Sequence, residues 1–430
     1  MLLSDDVPLR TSEVIDAYRE AALLPWGYGD CSRSPQAVVR LSDTRFLVLD
    51  HPCKAVTGAQ IDGQESQGWQ ASAFTDATGH TSTVIDFASA VPLGAEVTAT
   101  WLGMQDARTG ALIENPGDVI ESILRRSGFD IAPSMLDGLY RLRADAAAEG
   151  LTIGGRIGAA VSLRAVLNGI VRSIGGGWSN ESFWLHPAAQ VGSAPTADDE
   201  ERLPYAVVGE VTAHYETSFS TLRVKFDDQA YRAEHRQSLT LRARPSLSTR
   251  EEPVELLAPW LRNFASATAV AVRVLRRASG QQFEVRVEAP AVSPGVKIGD
   301  VFALASPMFP VPGRQWLTVI DRAQLAERVQ LTCDMVLPLA GQVFDVVAST
   351  VAGAVTQLAA VEVAFSNGTA TFTVTDDNGK PLVAARVSLD GATPKRTDAS
   401  GRVSFQAARG VHKLYIEAAG FQPFEMTVTI

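Results

Sequence analysis

The sequence predicts a mainly β protein with an α+β insertion, in which two barrel-like β domains precede a C-terminal β-sandwich. Two observations predict this class. Short apolar stretches alternate with turn residues near both ends of the chain, and the apolar spacing becomes helical between about 113 and 200. We therefore expect a first β-barrel domain at 1–112, an α+β insertion at 113–200, a second β-barrel domain with a helix at 201–345, a linker at 346–361 and a β-sandwich at 362–430.

The first domain has the pattern of short strands separated by glycines. Strands are predicted at Val38–Val39, Phe46–Leu49, Ser82–Phe87 and Glu96–Leu102. A helix is predicted before them, over Ser12–Leu23, because its first residue suits an N-cap and apolar residues recur at helical spacing behind it.

Three helices are predicted in the insertion. Asn115 suits an N-cap and Pro116 the first helical position of a helix that ends near Gly128. The second helix is predicted over Pro133–Glu149, and the third over Ser162–Ile174, which has the clearest amphipathic pattern in the chain.

The second domain returns to β periodicity, interrupted by a helix predicted over Pro259–Arg277. Its predicted strands are Val207–Tyr215, Ser220–Phe226, Phe283–Val287, Val301–Leu304, Trp316–Ile320 and Val329–Val336. The C-terminal unit has five short alternating strands, with tight turns predicted at Asn378–Gly379 and Asp390–Gly391. Its predicted strands are Ala370–Thr375, Ala385–Leu389, Gly401–Phe405, Leu414–Glu417 and Phe424–Ile430.

Composition excludes several classes of protein. With 430 residues, of which 46% are hydrophobic and 20% charged, the chain has the balance of a globular protein with several cores. The formal net charge of −10 argues against a broad nucleic-acid-binding surface, which needs clustered Lys and Arg. The three cysteines, Cys31, Cys53 and Cys333, are widely spaced and lack a CxxC pair, which is typical of a reducing cytoplasm.

Neither a leader nor a membrane span is predicted. The acidic Asp5 and Asp6 follow directly after the first apolar residues, without a basic and then apolar leader pattern. The longest uncharged run, Val346–Val361, is short for a span and contains polar residues. We expect a soluble protein.

No catalytic, cofactor-binding or metal-binding set is predicted. The six histidines are scattered, and His51 with Cys53 is a conceivable metal pair that lacks a third ligand nearby. Gly154-Gly155 with Gly158, and Gly175-Gly176-Gly177, match no phosphate-binding loop and are interpreted as turns and helix stops.

Acidic clusters are interpreted as surface features. Asp227-Asp228 and the run 198–201 lie in polar stretches and are expected to be solvated loops. Asp376–Gly379 looks like the start of a calcium loop, but position twelve is Val387 rather than Glu, so a hairpin turn is expected.

Three passages carry a resemblance to a known family. They are GAEVTATWLG at 94–103 leading into NPGDVI at 115–120, the amphipathic stripe at 162–174 followed by a Trp-bearing strand, and VLRR at 274–277 followed by VKIGDV at 296–301 and WLTVI at 316–320. In their order and spacing, from Gly94 to Ile320, they resemble the central hub proteins of phage tails, found in contractile baseplates and in the tail tips of non-contractile phages and gene-transfer agents.

The C-terminal unit carries a second resemblance. Its matching passages are VTDDNGKPL at 374–382, ARV at 385–387, TDASGRV at 397–403 and AAGF at 418–421. They are similar to the carboxypeptidase-regulatory-like (transthyretin-like) β-sandwich, a module with an Ig-like layout that is usually structural or adhesive.

The resemblances imply a structural role. Hub proteins form a homotrimeric ring with two β-barrels per subunit, so that three copies match a hexameric tail ring above and tail-tip or fibre proteins below. The implied localisation is the virion tail, assembled in the host cytoplasm, with genomic DNA passing through the lumen without specific binding. The C-terminal module would dock a fibre or touch the host surface. The resemblance implies no enzyme activity and no cofactor.

Two other hypotheses stay open. One is a secreted carbohydrate-active or adhesive protein whose sandwich is an accessory module; the missing leader pattern and catalytic set count against it. The other is the hub of a phage-like injection machine, which would share the architecture of a phage hub and differ from it in biological role.

Overall fold

The structure of the protein is a computed structural model that describes residues 25–76, 79–158, 162–179, 182–185, 206–214, 218–229, 234–248, 252–290, 296–325, 327–337, 339, 341–351, 358–366, 368–376, 381–408, 410–417 and 424–429. The described part is mainly β with a small helical insertion, which confirms the predicted fold class. The predicted helix over Ser12–Leu23 lies outside the described residues.

The chain divides into two compact units. The first contains residues up to Ile174 together with Phe226–Arg236 and Ala258–Ser266. The second contains Gly175–Lys225, Gln237–Leu257 and Ala267–Ile430. Two segments of the second predicted domain, Phe226–Arg236 and Ala258–Ser266, therefore belong to the first unit. Local sequence patterns do not reveal this assignment.

The first unit begins with a β module of two antiparallel four-stranded sheets, in the orders β2-β9-β5-β6 and β3-β4-β8-β7. The strands up to the first helix are β1 Trp26–Tyr28, β2 Gln36–Ala37, β3 Val39–Arg40, β4 Arg45–Leu49, β5 Ala55–Ile61, β6 Gln64–Glu65, β7 Trp69–Thr75, β8 Thr81–Phe87 and β9 Val97–Leu102. Apolar side chains from both sheets, among them Phe46, Ile85 and Trp101, form one buried core. Strands β5 and β7 were not predicted. β5 lacks a regular alternation of apolar and polar residues, and the alternation in β7 depends mainly on the small residues Ala71, Ser72 and Ala73.

The three predicted helices of the insertion are confirmed as α1 Pro116–Arg126, α2 Pro133–Ala148 and α3 Leu163–Ser173. Their start signals act as expected: the Asn115 side chain accepts a hydrogen bond from the N–H of Gly117 at 3.0 Å, and Ser162 Oγ accepts one from Ala165 at 3.1 Å. Strand β10, Gly155–Ile157, pairs with β1 and so connects the insertion to the β module.

The second unit contains a second β module. Its five-stranded sheet has the order β13-β17-β20-β19-β18, and the order β16-β14-β15-β21 forms a four-stranded sheet. The elements of this part are β11 Gly176–Trp178, β12 Phe183–Leu185, β13 Val207–His214, β14 Thr221–Gln229, β15 Glu234–Arg244, β16 Val254–Ala258, α4 Phe264–Ser279, β17 Gln281–Pro290, β18 Val301–Ala305, β19 Arg314–Gln324, β20 Arg328–Leu337 and β21 Val343–Val351. Among the described residues no sheet closes on itself, so both barrel-like modules are built from open sheets.

The C-terminal part is a two-sheet antiparallel sandwich with its own core. Its sheets have the orders β22-β23-β26 and β25-β24-β27-β28. Its strands are β22 Leu358–Ser366, β23 Thr369–Asp376, β24 Arg386–Leu389, β25 Lys395–Arg396, β26 Arg402–Gln406, β27 Val411–Glu417 and β28 Phe424–Thr429. The predicted tight turn is confirmed at Asp390 and Gly391, both at positive φ, where the N–H of Ala392 bonds to the carbonyl of Leu389 at 2.8 Å.

Several element boundaries differ from the prediction, most of all in the predicted linker and at the start of α4. Residues 346–351, expected in a linker, belong to β21, and the predicted boundary at 361/362 falls inside β22. Helix α4 begins at Phe264 rather than at Pro259, because residues 259–263 form a turn that precedes it. The five-domain division as a whole stays a prediction.

Candidate functional site

His51 and Cys53, the conceivable metal pair, lie in the loop between β4 and β5. His51 Nε2 accepts a hydrogen bond from the N–H of Gly27 at 3.0 Å, and Nδ1 donates to the carbonyl oxygen of Pro52 at 2.8 Å. Burial lowers the pKa of His51 to about 4, so the ring is neutral. Both ring nitrogens of His51 therefore form hydrogen bonds within the protein. In the part of the chain that the structure describes, no three His, Cys, Asp or Glu side chains form a metal cluster.

The glycine-rich segments serve packing and helix termination. Gly155 lies in β10, where a Cβ atom would stand 2.9 Å from the indole of Trp260. Gly175 has a φ of +60° and follows the C-cap of α3, which confirms its predicted role as a helix stop. Gly177 lies in β11 against the indole of Trp184, which a Cβ atom would approach to 2.6 Å.

Asp227 contradicts the expectation of a solvated loop. It lies in β14, is 1% exposed and has a positive φ of 59°. Its carboxylate accepts a hydrogen bond from Ser34 Oγ and pairs with Arg262 Nη1 at 3.2 Å. Arg262 also donates through Nε to the carbonyl oxygen of Gly154 at 2.8 Å. The Asp227 carboxyl group can be buried here because the guanidinium of Arg262, 35 positions away, pairs with it.

This buried cluster joins distant segments rather than forming a reactive site. Arg262, Asp227 and Ser34 bond to one another, so charge and hydrogen-bonding capacity are satisfied locally. The nearby Cys31 thiol is fully buried, and burial raises its pKa to about 11, which keeps it protonated and unreactive at neutral pH. The cluster is therefore a structural feature of the first unit.

A second polar cluster was not found by sequence reasoning. His80 Nε2 lies 3.0 Å from Asp50 Oδ1, and Ser82 Oγ donates to the same oxygen at 3.2 Å. In a serine hydrolase the hydroxyl donates to the histidine, which takes its proton. Here both groups bond to one carboxylate oxygen, so His80 is not placed to activate Ser82. No motif marks these residues, because Asp50 lies in another segment.

The remaining acidic candidates fall largely outside the described residues. These are the run 198–201 and most of the calcium-like segment, 377–379. Asp376 itself ends β23.

A shallow pocket in the C-terminal sandwich, of about 430 Å³, is walled by Asp390, Phe405 and His412. His412 Nδ1 lies 2.5 Å from Asp390 Oδ2, and its Nε2 lies 2.9 Å from the carbonyl oxygen of Ala408. The pair raises the pKa of His412 and lowers that of Asp390, because each stabilises the charged form of the other. These polar groups bond to one another and hold two turns together.

The most distinctive exposed surface of the second unit is the loop between β18 and β19, which we call the apolar tip (residues 306–313). Met308 is 47% exposed and Val311 43% exposed, whereas Phe309 between them is buried in the core of the five-stranded sheet. No charged residue occurs from Val301 to Gly313. Met308 and Val311 are single exposed apolar side chains, which are common on protein surfaces and do not by themselves indicate a partner.

The most distinctive surface of the first unit is strand β7, at one end of its sheet. Four consecutive residues, Gln70–Ala73, are exposed, and none is charged. β7 pairs with β8, and no other described strand covers its second edge.

The sequence matches no family model and no curated protein. Among solved structures, the chain is similar to one described as "Virion of native gene transfer agent (GTA) particle". The TM-score is 0.47 and the identity 14%, over 76% of this chain and 89% of the other. No helix in the described residues is long and apolar enough to cross a membrane.

Proposed function

We propose that the chain is a structural protein of a phage-like tail, in which three copies form a hub ring between a hexameric tail ring and the tail tip. The observation that carries the proposal is the presence of two separate β modules in one chain, each with two antiparallel sheets. Three copies then present six modules, which is the number that a hexameric ring offers.

The proposed ring does not bind DNA specifically. A net charge of −10 disfavours tight binding to phosphates, so genomic DNA passes through the lumen without being held. The role is structural, with no catalysis, cofactor or resident metal ion. The sequence resemblance from Gly94 to Ile320 supports this assignment.

The mass of the purified, tag-free protein tests the proposal. Light scattering after size exclusion is expected to give about three times 45.9 kDa, and negative-stain images should show a ring with a central hole. A monodisperse monomer that binds polysaccharide would instead favour a carbohydrate-binding protein.

We propose further that the C-terminal sandwich docks a fibre or touches the host surface. Deletion of residues 358–430 tests this, since the cut then precedes β22 instead of splitting it. Tail tips that carry the deletion are expected to lose either fibre attachment or binding to isolated host envelopes. Retention of both would exclude an adhesive or docking role.

A further inference from the structure

The sheet with the order β3-β4-β8-β7 carries apolar side chains on both of its faces. Successive residues of a strand point to opposite faces. Phe46 and Ile85 belong to the core of the first β module, whereas Leu47 and Val84, which pair across β4 and β8, form a separate cluster. Both residues of this pair are 0% exposed. With its partly buried members, this outer cluster consists of Val39, Leu41, Leu47, Phe74 and Val84.

The described residues cover the outer cluster only in part. Val39, Leu41 and Phe74 are half-buried, and every described member of the cluster comes from the sheet or from the residue that follows β3. No other described element therefore contributes an apolar side chain to it. Arg45 and Asp86, at its border, pair with each other at 2.6 Å and satisfy each other's charge. An apolar face of a sheet is normally buried by a further layer.

The chain that precedes Pro25 is attached close to this face. The N–H of Asp50 donates to the carbonyl oxygen of Pro25 at 2.7 Å, and Asp50 follows Leu47 by three residues, a distance of about 10 Å along a strand. Ser82 Oγ donates to the Asp50 carboxylate at 3.2 Å, and Ser82 lies two residues from Val84, on the same face of β8. The segment before Pro25 is therefore tethered beside the outer cluster.

We propose that the predicted helix over Ser12–Leu23 packs its apolar side on the outer cluster of the same chain. Helical spacing places Ile15, Tyr18 and Ala22 on one side. A helix of twelve residues is about 18 Å long, and four neighbouring strands span about 14 Å, so the two surfaces match in size. A single residue separates the predicted helix from the described part of the chain, and so short a tether favours the same copy over a second one. This contact does not depend on the proposed trimer.

Thiol labelling in the full-length protein tests the contact. Leu41→Cys places a thiol in the outer cluster, at a half-buried position. Adding Tyr18→Asp puts a carboxylate on the apolar side of the predicted helix, and a carboxylate is costly to bury. The introduced thiol is then expected to react with a maleimide about tenfold faster, or more, than in Leu41→Cys alone. Glu20→Gln is the matched control, because it changes one charge on the opposite side and should leave the rate unchanged.

The native cysteines and an exposed thiol provide the reference rates. Cys31 and Cys333 are buried, and the half-buried Cys53 is measured in the protein without Leu41→Cys. Ala73→Cys, at an exposed position of β7, gives the rate of an uncovered thiol on the same sheet. Labelling of Leu41→Cys as fast as that of Ala73→Cys would contradict the proposal, as would equal rates with and without Tyr18→Asp.

Crosslinking shows which copy provides the helix. Ala22→Cys and Leu41→Cys are combined in one chain and treated with a short bismaleimide. A link within one chain is expected, so that digestion gives the two peptides joined while denaturing electrophoresis shows a monomer. Adding Tyr18→Asp keeps both thiols and should lower the yield several-fold. A covalent dimer would place the helix on a second copy and overturn the proposal, and a yield that Tyr18→Asp does not change would show that the helix is not docked.

Discussion

At the scale of single residues, Asp227 shows where sequence reasoning fails. Its neighbours are polar, and the pair Asp227-Asp228 was expected to be solvated, yet the structure buries Asp227. Its partners are Ser34, 193 positions away, and Arg262, 35 positions away. No local pattern encodes such pairings, because they depend on how segments meet in the folded chain.

The Asp227–Arg262 pair is expected to be essential for the stability of the first unit. Asp227→Asn removes the buried carboxylate that pairs with Arg262, and the free energy of unfolding should fall by about 3–5 kcal/mol. Asparagine tolerates the positive φ at this position, so backbone strain contributes little. Urea unfolding of the variant measures the loss.

The control is Glu255→Gln, which removes the exposed ion pairs that Glu255 forms with Arg223 and Lys225. Its cost should stay below about 1 kcal/mol. Equal losses in the two variants would show that burial does not set the strength of the Asp227–Arg262 pair.

His412 is expected to make the C-terminal sandwich more stable at lower pH. Its ring faces a carboxylate and a carbonyl, both acceptors, so both bonds exist only when the ring is protonated. Its pKa is raised by Asp390, and therefore its contribution is complete below about 6.5, the pKa of an unfolded histidine, and is lost as pH rises through the folded value. Asp390 has a lowered pKa. It therefore stabilises the sandwich at pH values above the pKa of an unfolded aspartate, and this stabilisation is lost as pH falls through the pKa of the folded state.

Amide hydrogen exchange checks this prediction. Protection of β27, corrected for the intrinsic pH dependence of exchange, should decrease as pH rises above about 6.5 and through the raised pKa of His412. In His412→Gln, which carries no charge, this decrease should vanish. A variant that retains the wild-type pH dependence would assign it to another group.

At the scale of elements, the indole of Trp184 is held between two glycines. A Cβ atom on Gly299 would lie 2.4 Å from the ring, and one on Gly177 would lie 2.6 Å from it. Gly299 also has a φ of +91°, which side-chain-bearing residues rarely adopt. Both the backbone conformation and the close packing against Trp184 therefore favour glycine at position 299 of the VKIGDV passage.

Gly299→Ala is expected to destabilise the second unit more than Gly313→Ala. Gly313 has a similar φ of +98°, but nothing lies within 4 Å of its potential Cβ, so that variant carries the backbone strain alone. That strain costs about 1–3 kcal/mol, and the clash with Trp184 should add roughly 1–3 kcal/mol. Urea midpoints compare the two, and equal losses would mean that Trp184 moves aside freely.

Elements differed in how well the sequence predicted them. The starts of α1 and α3 were predicted because Asn115 and Ser162 cap their helices through local hydrogen bonds. Strand β7 was missed because its alternation from Trp69 to Ala73 depends on two alanines and a serine, and alanine is depleted in strands. The sequence also could not show that the sheets are open, since closure depends on pairing between distant strands.

At the scale of the whole molecule, the clearest separation of cores lies between the second β module and the C-terminal sandwich. The sandwich core contains Phe372, Phe405 and Leu414, and the only partly buried apolar residue from before Leu358 that packs on it, in the described part of the chain, is Val346. The five-stranded sheet has a core of its own, with Val285, Leu317 and Leu331 among its members. The two cores therefore share little buried apolar surface, although β22 of the sandwich lies against β21 of the second β module.

Removal of residues 358–430 is therefore expected to leave a folded chain that still trimerises. The deletion takes away β22 to β28 together with their own core, and it newly exposes Val346 and the side of β21 that lies against β22. Light scattering should give three times the mass of the shortened chain, with a far-ultraviolet circular dichroism spectrum that remains mainly β. A folded monomer would place the contacts between copies in the sandwich rather than in the two β modules.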